Sequence, residues 1–229
     1  MRTLLVVGAG PGLGTAVALR FAREGYAVGL ISRTAASVAD ALRHLRADGA
    51  TVYSTQADVT DERALRTALD RTVEELGTPA CAVYNAALIR PDELGALTAA
   101  GLHQAFGVNV VGAAITADHL GATMVAHAPS SLLMSGGMPA PVAAYTSLSI
   151  GKSALRTLAA VIDEQYGPQG LHAATVTICG PIAAGSRFDP TEIADHYWAL
   201  HNQERDQWAL ELVYEGPDDI TLRRPEQGP

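Results

Sequence analysis

The sequence has little of what marks a disulfide-stabilised, membrane-spanning or nucleic-acid-binding protein. Its 229 residues include only two cysteines, Cys81 and Cys179, and both stand in apolar, strand-like segments, which favours free thiols over a disulfide. No apolar run reaches the ~18 residues of a membrane span. No cluster of Lys and Arg could follow a phosphate backbone, and the net charge is −8. These absences predict a cytoplasmic protein with no nucleic-acid or membrane partner, and no metal site is predicted.

Aromatic residues are also scarce, at 5% of a chain that is 48% hydrophobic. A composition dominated by small and aliphatic residues is typical of a parallel sheet that helices bury on both faces. The length suits one domain over residues 1–229, with little left for a second. The composition therefore predicts a single-domain α/β fold.

Apolar runs alternate with longer amphipathic segments along the chain. We predict strands at Thr3–Val7, Ala27–Ile31, Thr51–Ala57, Ala80–Asn85, Ser130–Ser135, Ala173–Ile178 and Leu210–Tyr214. We predict helices at Leu13–Glu24, Ala35–Asp48, Glu62–Leu76, Ala99–Ala126, Ala143–Tyr166 and Pro190–Asn202. This alternation implies a doubly wound, seven-stranded parallel sheet of the Rossmann type, flanked by helices. The segment 216–229, rich in charge, Pro and Gly, is predicted to be a tail.

Three glycines, Gly8, Gly12 and Gly14, follow the first predicted strand in the loop GAGPGLG. The first lets the chain turn off the strand, the second lets the backbone approach a pyrophosphate, and the third lets the helix beginning at Leu13 pack on the sheet. The N-terminus of that helix would favour the phosphate charge. Glycine also occurs in plain turns, but its place between a strand and a helix predicts a dinucleotide site.

The second predicted strand ends at Ile31 and leads into Ser32 and Arg33. An acidic residue here would bind a ribose 2′-hydroxyl and favour NAD(H), whereas the guanidinium of Arg33 can bind a 2′-phosphate. We therefore predict that NADP(H) is preferred over NAD(H). The alternative is that Arg33 is a solvated residue at the start of a helix.

Two further segments follow predicted strands at the same edge of the sheet. Asp58 and Val59 follow the third strand. The Asp58 carboxylate could accept a hydrogen bond from the adenine amino group, or it could form an Asx turn or cap a helix. Asn85, Ala86 and Ala87 follow the fourth strand, where small side chains would let the adenosine ribose lie against the backbone.

In their order along the chain, these motifs resemble those of the short-chain dehydrogenase/reductase family. The matching segments are GAGPGLG, Asp58-Val59, Tyr84-Asn85-Ala86-Ala87, Asn109 in GVNVVG, Ser135, and a Tyr and a Lys on the helix after the fifth strand. The resemblance implies hydride transfer between a nicotinamide and a C=O, C=N or C=C bond. It also implies that the Tyr donates a proton and that Lys152 binds the nicotinamide ribose. Asn109 would hold a water of the proton relay, and Ser135 would take the place of the family's catalytic serine.

The catalytic helix departs from the usual pattern of this family. The usual Tyr-x3-Lys would place the Tyr four residues before Lys152, where this chain has Leu148. Tyr145 instead forms Tyr-x6-Lys, which resembles the divergent branch that includes the enoyl-acyl carrier protein reductases. Gly180-Pro181-Ile182 after the sixth strand also resembles that branch, in which the Ile backbone holds the nicotinamide carboxamide. The loop GAGPGLG, however, is of the ordinary type.

Residues three apart on a helix share a face, so a Tyr moved from position 148 to 145 would keep its side and shift by about 4.5 Å along the axis. We predict an NADPH-dependent reductase that acts on a C=C bond (enone or enoyl-like) or a C=O bond of a small molecule, with Tyr145 as proton donor beside Lys152. Two alternatives stay open. One is carbonyl or imine reduction by Ser135, Asn109 and Lys152 without Tyr145, and the other is a non-redox nucleotide-binding relative.

The segment 188–205 is predicted to contain a substrate-covering helix whose aromatic residues Phe188, Tyr197 and Trp198 face the pocket. These aromatics could equally pack on the body of the protein or on another subunit. By analogy with the family, the long helices predicted at 99–126 and 143–166 would pair subunits, so a homodimer or homotetramer is expected.

Overall fold

Eight strands form one sheet in the order β3-β2-β1-β4-β5-β6-β7-β8 in the computed structural model, which describes residues 1–224. The strands are β1 Thr3–Val7, β2 Ala27–Ser32, β3 Val52–Gln56, β4 Cys81–Tyr84, β5 Ser130–Ser135, β6 Leu171–Ile178, β7 Glu211–Gly216 and β8 Asp219–Arg223. The helices are α1 Leu13–Arg23, α2 Ala39–Ala47, α3 Glu62–Leu76, α4 Ala99–Phe106, α5 Gly112–Val125, α6 Thr146–Tyr166 and α7 Pro190–His201. The predicted single-domain α/β fold of the Rossmann type is confirmed.

The sheet lies between two layers of helices, and the alternation of side chains along β1 explains why. Leu4 and Val6 point into an apolar cluster shared with α1, α2 and α7. Leu5 and Val7 point into the opposite cluster, shared with α3, α5 and α6. Successive side chains of a strand face opposite sides, so a strand buried on both faces must be apolar throughout, as this one is.

The sheet has one strand more than predicted. Strand β8 runs antiparallel to β7, whereas the other neighbouring strands are parallel. All five residues of β8 are exposed, so the segment lacks the apolar signature of the buried strands and resembles a tail in sequence. Residues 219–223 of the predicted tail are therefore an edge strand, and residues 225–229 lie outside the described part of the chain.

The long helix predicted at 99–126 is interrupted by a π-helical stretch, Gly107–Val111, between α4 and α5. A wider turn displaces backbone groups from the regular hydrogen-bond ladder, and the Tyr84 hydroxyl donates to the carbonyl of Val108 at 2.5 Å. By length and composition, the stretch Ala99–Val125 could span a membrane. It contains no uninterrupted apolar run long enough to indicate a membrane span in the sequence. Its packing against α3 and α6 is that of a core helix.

Helix α7 packs on the body of the protein, which is the second of the two arrangements expected for it. Tyr197 is fully buried, and the Trp198 ring contacts Phe21 of α1 edge-on at 5.1 Å between ring centroids. A substrate-covering role for the segment 188–205 stays a prediction.

The two cysteines are free thiols, as predicted. Cys81 is buried in β4, where burial raises the pKa of its thiol to about 12. Cys179 follows β6 and is partly buried, and burial also raises the pKa of its thiol. Both thiols are therefore protonated at neutral pH, and neither is present as the nucleophilic thiolate.

Candidate active site

The glycine loop after β1 turns tightly against the end of β4. Gly8 has a positive φ of 81°, and a Cβ at this position would lie 2.3 Å from the backbone nitrogen of Ala86. Only glycine fits such a position without a shift of backbone. Helix α1 then begins after Gly12, which provides no side-chain cap, and a Cβ at Gly12 would meet no atom within 4 Å. The uncapped helix N-terminus and the open space beside it suit a phosphate group.

A cleft of about 290 Å³ lies beside this loop at the carboxyl edge of the sheet. Its lining consists of Gly8, Ala9, Gly10, Pro11, Ser32, Arg33, Ser37, Ala57, Val59, Asn85, Ala86, Ala87, Leu88 and Val108. The ends of four strands thus bring together half of the residues predicted to hold the cofactor: Gly8, Ser32, Arg33, Val59, Asn85, Ala86 and Ala87. Leu13 and Gly14 lie buried behind the loop, where they pack α1 on the sheet. This cleft lies beside the glycine loop at the carboxyl ends of the strands, which is where open parallel sheets bind dinucleotides.

Ser32 and Arg33 lie in different environments at the end of β2. Ser32 is buried, and its hydroxyl donates to the carbonyl of Thr34 at 2.9 Å, so it shapes the turn. Arg33 is exposed at the border of the cleft. A flexible guanidinium at this border can reach a phosphate on the ribose.

Asp58 forms the Asx turn that was one of its two expected roles. Its Oδ1 accepts hydrogen bonds from the Thr60 backbone N–H at 2.9 Å and from the Thr60 hydroxyl at 2.7 Å. These bonds lower the pKa of the Asp58 carboxyl. The carboxylate is exposed and keeps further acceptor capacity, so contact with an adenine amino group stays a prediction.

A directed chain of hydrogen bonds links α7 to the glycine loop. The Asn85 Nδ2 donates to the carbonyl of Gly8 at 3.0 Å, which leaves its Oδ1 to accept from the Ser135 hydroxyl at 2.8 Å. The single proton of Ser135 is therefore committed to Asn85. It follows that the Tyr197 hydroxyl, 2.7 Å from the Ser135 hydroxyl, is the donor of that pair. Ser135, which is predicted to be catalytic, thus points toward the layer of α1 and α7. Through Asn85 it helps to hold the glycine loop in position.

Removal of the Tyr197 hydroxyl tests the importance of this chain. We expect Tyr197→Phe to lower the free energy of unfolding by about 1–3 kcal/mol, because the buried Ser135 oxygen loses its donor. Urea unfolding followed by circular dichroism measures the effect. Tyr53→Phe on β3 is the matched control, since its hydroxyl makes no hydrogen bond within residues 1–224. Equal stability of the two variants would contradict the assigned chain.

Lys152 is buried on α6 and reaches back toward the end of β5. Its side chain is 4% exposed, and its Nζ donates to the Ser135 carbonyl at 2.6 Å. Burial lowers the pKa of Lys152 to about 8, so the amine is still mostly charged at neutral pH. A buried ammonium with a single hydrogen bond retains two donors for other groups. Ribose hydroxyls at this place would satisfy them.

Asn109 fixes the chain that follows the cofactor cleft. In the π-helical stretch its side chain is fully buried, with Oδ1 accepting from the Leu88 N–H at 2.7 Å and Nδ2 donating to the Leu88 carbonyl at 3.2 Å. Gly151 lets α6 approach it closely, because a Cβ there would lie 3.0 Å from the Asn109 Cβ. Both polar atoms of Asn109 are thus occupied by backbone groups.

Tyr145 stands immediately before α6. The helix begins at Thr146 and not at Ala143 as predicted, so Tyr145 is the N-cap residue, with φ −137° and ψ 50°. Its direction is consequently set by the turn before the helix and not by helical periodicity. It is partly buried, and its hydroxyl makes no hydrogen bond with the described residues. Leu148, which replaces the usual Tyr, is buried in the protein.

The remaining predicted cofactor contacts follow β6. Pro181 is exposed and Ile182 is 40% exposed, in the loop that leads to α7. Their backbone is therefore accessible from the carboxyl edge, although contact with a nicotinamide stays a prediction. Sequence reasoning overlooked Arg156, whose guanidinium donates to the carbonyls of Gly137 at 3.1 Å and Met138 at 3.3 Å. The one sequence feature that could have indicated Arg156 is its position one helical turn after Lys152.

Comparisons with known proteins agree with this geometry. The family model described as short chain dehydrogenase matches residues 2–189. A short-chain dehydrogenase/reductase of Armillaria gallica is 29% identical over 175 residues, which are 74% of this chain and 67% of that protein. The 2-(R)-hydroxypropyl-CoM dehydrogenase of Xanthobacter autotrophicus is 32% identical over 162 residues, 68% of this chain and 62% of that protein.

A solved structure shows the same fold. A metagenomic short-chain oxidoreductase in complex with NADP superposes with a TM-score of 0.84 at 20% identity, over 93% of this chain and 96% of that one. The glycine loop, the cleft and the buried lysine fit the nicotinamide dinucleotide of such enzymes. The chain belongs to the short-chain dehydrogenase family of NAD(P)-dependent oxidoreductases.

Proposed function

We propose that this protein is an NADPH-dependent reductase of a C=C bond conjugated to a carbonyl, or of a C=O bond, in a small molecule. Tyr145 is its proton donor, and the positive charge of Lys152 stabilises the phenolate that remains after proton transfer. The observation that carries this proposal is the commitment of the Ser135 proton to Asn85. Ser135 would have to give up this internal hydrogen bond before it could donate its proton to a substrate oxygen.

The same reasoning weakens the alternative in which Ser135, Asn109 and Lys152 act without a Tyr. Asn109 holds the backbone of Leu88 with its side chain, and a neutral amide has no acidic proton to donate to a substrate. Tyr145 differs from these residues because it is partly buried just before α6 and its hydroxyl makes no hydrogen bond with the described residues. Among the hydroxyl and amide side chains predicted to be catalytic, it is the one whose acidic proton is not bound to another described residue.

The proposed reaction transfers one hydride and one proton to the substrate. The bound nicotinamide supplies a hydride, which carries the two electrons that reduce the substrate. The Tyr145 hydroxyl gives its proton to the substrate oxygen, where negative charge develops. With an enone the product is an enol that rearranges to the ketone, and with a ketone it is the alcohol. The positive charge of Lys152 would stabilise the phenolate of Tyr145, which takes a proton back from water.

Turnover with a panel of substrates tests the proposal. Oxidation of NADPH should occur with members of a set of small enones, ketones and imines, and enones should be reduced most rapidly. Oxidation with none of them, together with tight NADPH binding, would instead favour a non-redox nucleotide-binding protein. Preference for ketones over enones would retain the reductase and reject the likeness to enoyl reductases.

We propose that the enzyme works in the cytoplasm as a homodimer or homotetramer. Apolar side chains on the outer face of α6 support a subunit contact, since Ile150 is 46% exposed and Val161 is 51% exposed. Sedimentation of the purified protein gives its oligomeric state.

Arg33 should decide between the two nicotinamide cofactors. We expect Arg33→Ala to raise the Kd for NADPH by about tenfold to a hundredfold, because one charge-assisted contact with the 2′-phosphate is lost. The Kd for NADH should stay the same. Fluorescence titration measures both, and Arg43→Ala on α2 is the control, because this exposed Arg pairs with Asp40 instead. Equal losses for NADH and NADPH would contradict the assignment.

A further inference from the structure

We propose that Asp92 is a positioning residue for Tyr145, an inference that rests on the proposed role of Tyr145 as proton donor. Asp92 lies in the loop after β4, 53 positions before Tyr145 in the chain. The structure brings it to the start of α6 and binds it there through both backbone and side chain. No local motif indicates this contact.

Backbone hydrogen bonds from Asp92 hold the chain on both sides of Tyr145. The Asp92 N–H donates to the carbonyl of Ala144 at 3.0 Å, and the Thr146 N–H donates to the carbonyl of Asp92 at 3.1 Å. Together they form a short parallel bridge between Asp92 and Tyr145. The peptide units before and after Tyr145 are therefore fixed to a second segment of the protein.

The Asp92 side chain supplies the cap that α6 lacks. Tyr145 occupies the N-cap position and its side chain accepts no cap hydrogen bond. Asp92 Oδ1 instead accepts from the Ser147 N–H at 2.9 Å, and Oδ2 accepts from the Ser147 hydroxyl. A carboxylate at a helix N-terminus is also favoured by the helix dipole. These hydrogen bonds lower the pKa of the Asp92 carboxyl, so it is ionised at neutral pH.

The loop that carries Asp92 is itself held at its other end. Asn109 binds both backbone groups of Leu88, the last of the residues after β4 that line the cofactor cleft. The segment from Leu88 to Asp92 therefore connects the cleft to the start of α6. Since Tyr145 has a non-helical backbone, its hydroxyl direction depends on this connection and on the turn at Val142, which the Ser149 hydroxyl also binds.

A double-mutant cycle separates positioning from general stability. The activity probe is the most rapidly reduced member of the enone, ketone and imine panel. We expect Asp92→Ala to lower kcat by about tenfold to a hundredfold, since small displacements of a catalytic group have effects of this size. In a Tyr145→Phe background the same change should lower kcat by less than about twofold, because the group being positioned is absent. The KM for NADPH should be unchanged.

Two further variants complete the experiment. Asp92→Asn keeps an acceptor for the Ser147 N–H and should retain most of kcat. Asp61→Ala removes an equivalent cap, since Asp61 accepts from the Ala64 N–H at the start of α3, and should leave kcat unchanged. Hydrogen exchange at Ser147, which loses its side-chain acceptor, should accelerate in Asp92→Ala alone, which tests the cap independently of turnover.

The outcomes distinguish this inference from the proposed function. Equal losses from Asp92→Ala in both backgrounds, or a loss in Asp92→Asn as large as in Asp92→Ala, would overturn positioning. Full activity of Asp92→Ala when Tyr145→Phe is impaired would overturn it as well. Full activity of Tyr145→Phe would instead overturn the proposed donor, whatever Asp92 does.

Discussion

Replacement of Lys152 by methionine is expected to lower kcat by about a hundredfold to a thousandfold, the usual cost of removing one stabilising charge from an active site. The free enzyme should nevertheless be no less stable than the original. Lys152 is the single lysine of the chain, and its ammonium is buried against one carbonyl, that of Ser135. Methionine has a similar length and needs no hydration, so the fold does not require the charge.

The pKa of Lys152 gives the sign of the stability effect. Burial lowers it from 10.5 to about 8, so the folded state disfavours the charged form by about 3 kcal/mol. This penalty is fully present below pH 8 and is relieved as the pH rises from 8 toward 10.5, since the unfolded chain then binds more protons. The original free enzyme should gain stability over this range, and Lys152→Met should not. Loss of the hydrogen bond to Ser135 offsets part of the gain from the substitution.

Turnover should have the opposite pH dependence. The Lys152 charge that we propose stabilises a Tyr145 phenolate is present below pH 8, so kcat/KM should fall as the pH rises through about 8. Labelling with [15N]lysine gives one side-chain signal, because there is one lysine, and its titration measures the pKa directly. Urea unfolding at several pH values measures stability. Undiminished turnover in Lys152→Met would show that the charge has no catalytic role.

The parts of the fold predicted correctly are those whose signal is local. Strands β1 and β5 and helix α3 have their predicted bounds, because each is marked by a buried apolar pattern or by a cap next to it in the sequence. The edge strand β8 was overlooked because its form comes from pairing with β7 and not from its own composition. The π-helical stretch Gly107–Val111 has no distinct sequence pattern.

The sequence predicts which residues belong to the candidate site but not how their side chains are oriented. The sequence placed Ser135 correctly at the end of β5, yet its hydroxyl direction depends on Tyr197, 62 positions later. Likewise, the start of α6 depends on Asp92, 55 positions before Ser147. The argument that positions 145 and 148 share a helical face fails for the same reason, since Tyr145 precedes the helix. Contacts between distant segments decide these orientations, and no pattern within one segment records them.

Tyr145→Phe is expected to lower kcat by about a hundredfold to ten-thousandfold, the range that general acid catalysis contributes. The substitution removes one oxygen from a partly buried side chain whose hydroxyl has no described hydrogen-bond partner, so stability should change little. Substrate and NADPH binding should persist, because the phenyl ring remains and the cofactor cleft is lined by other residues. The loss should therefore lie in kcat and not in the KM for NADPH.

A matched control exists on the same helix. Tyr166 lies at the far end of α6, where its ring packs against Gly121, and Tyr166→Phe deletes the same atom away from the carboxyl edge. Tyr166→Phe should keep full turnover. If Tyr145→Phe also keeps full turnover, the proton comes from another group, and the relocated Tyr-x6-Lys spacing has no catalytic meaning. If Tyr145→Phe alone is impaired, the donor of this enzyme stands before α6 and not on it, because the usual position is held by the buried Leu148.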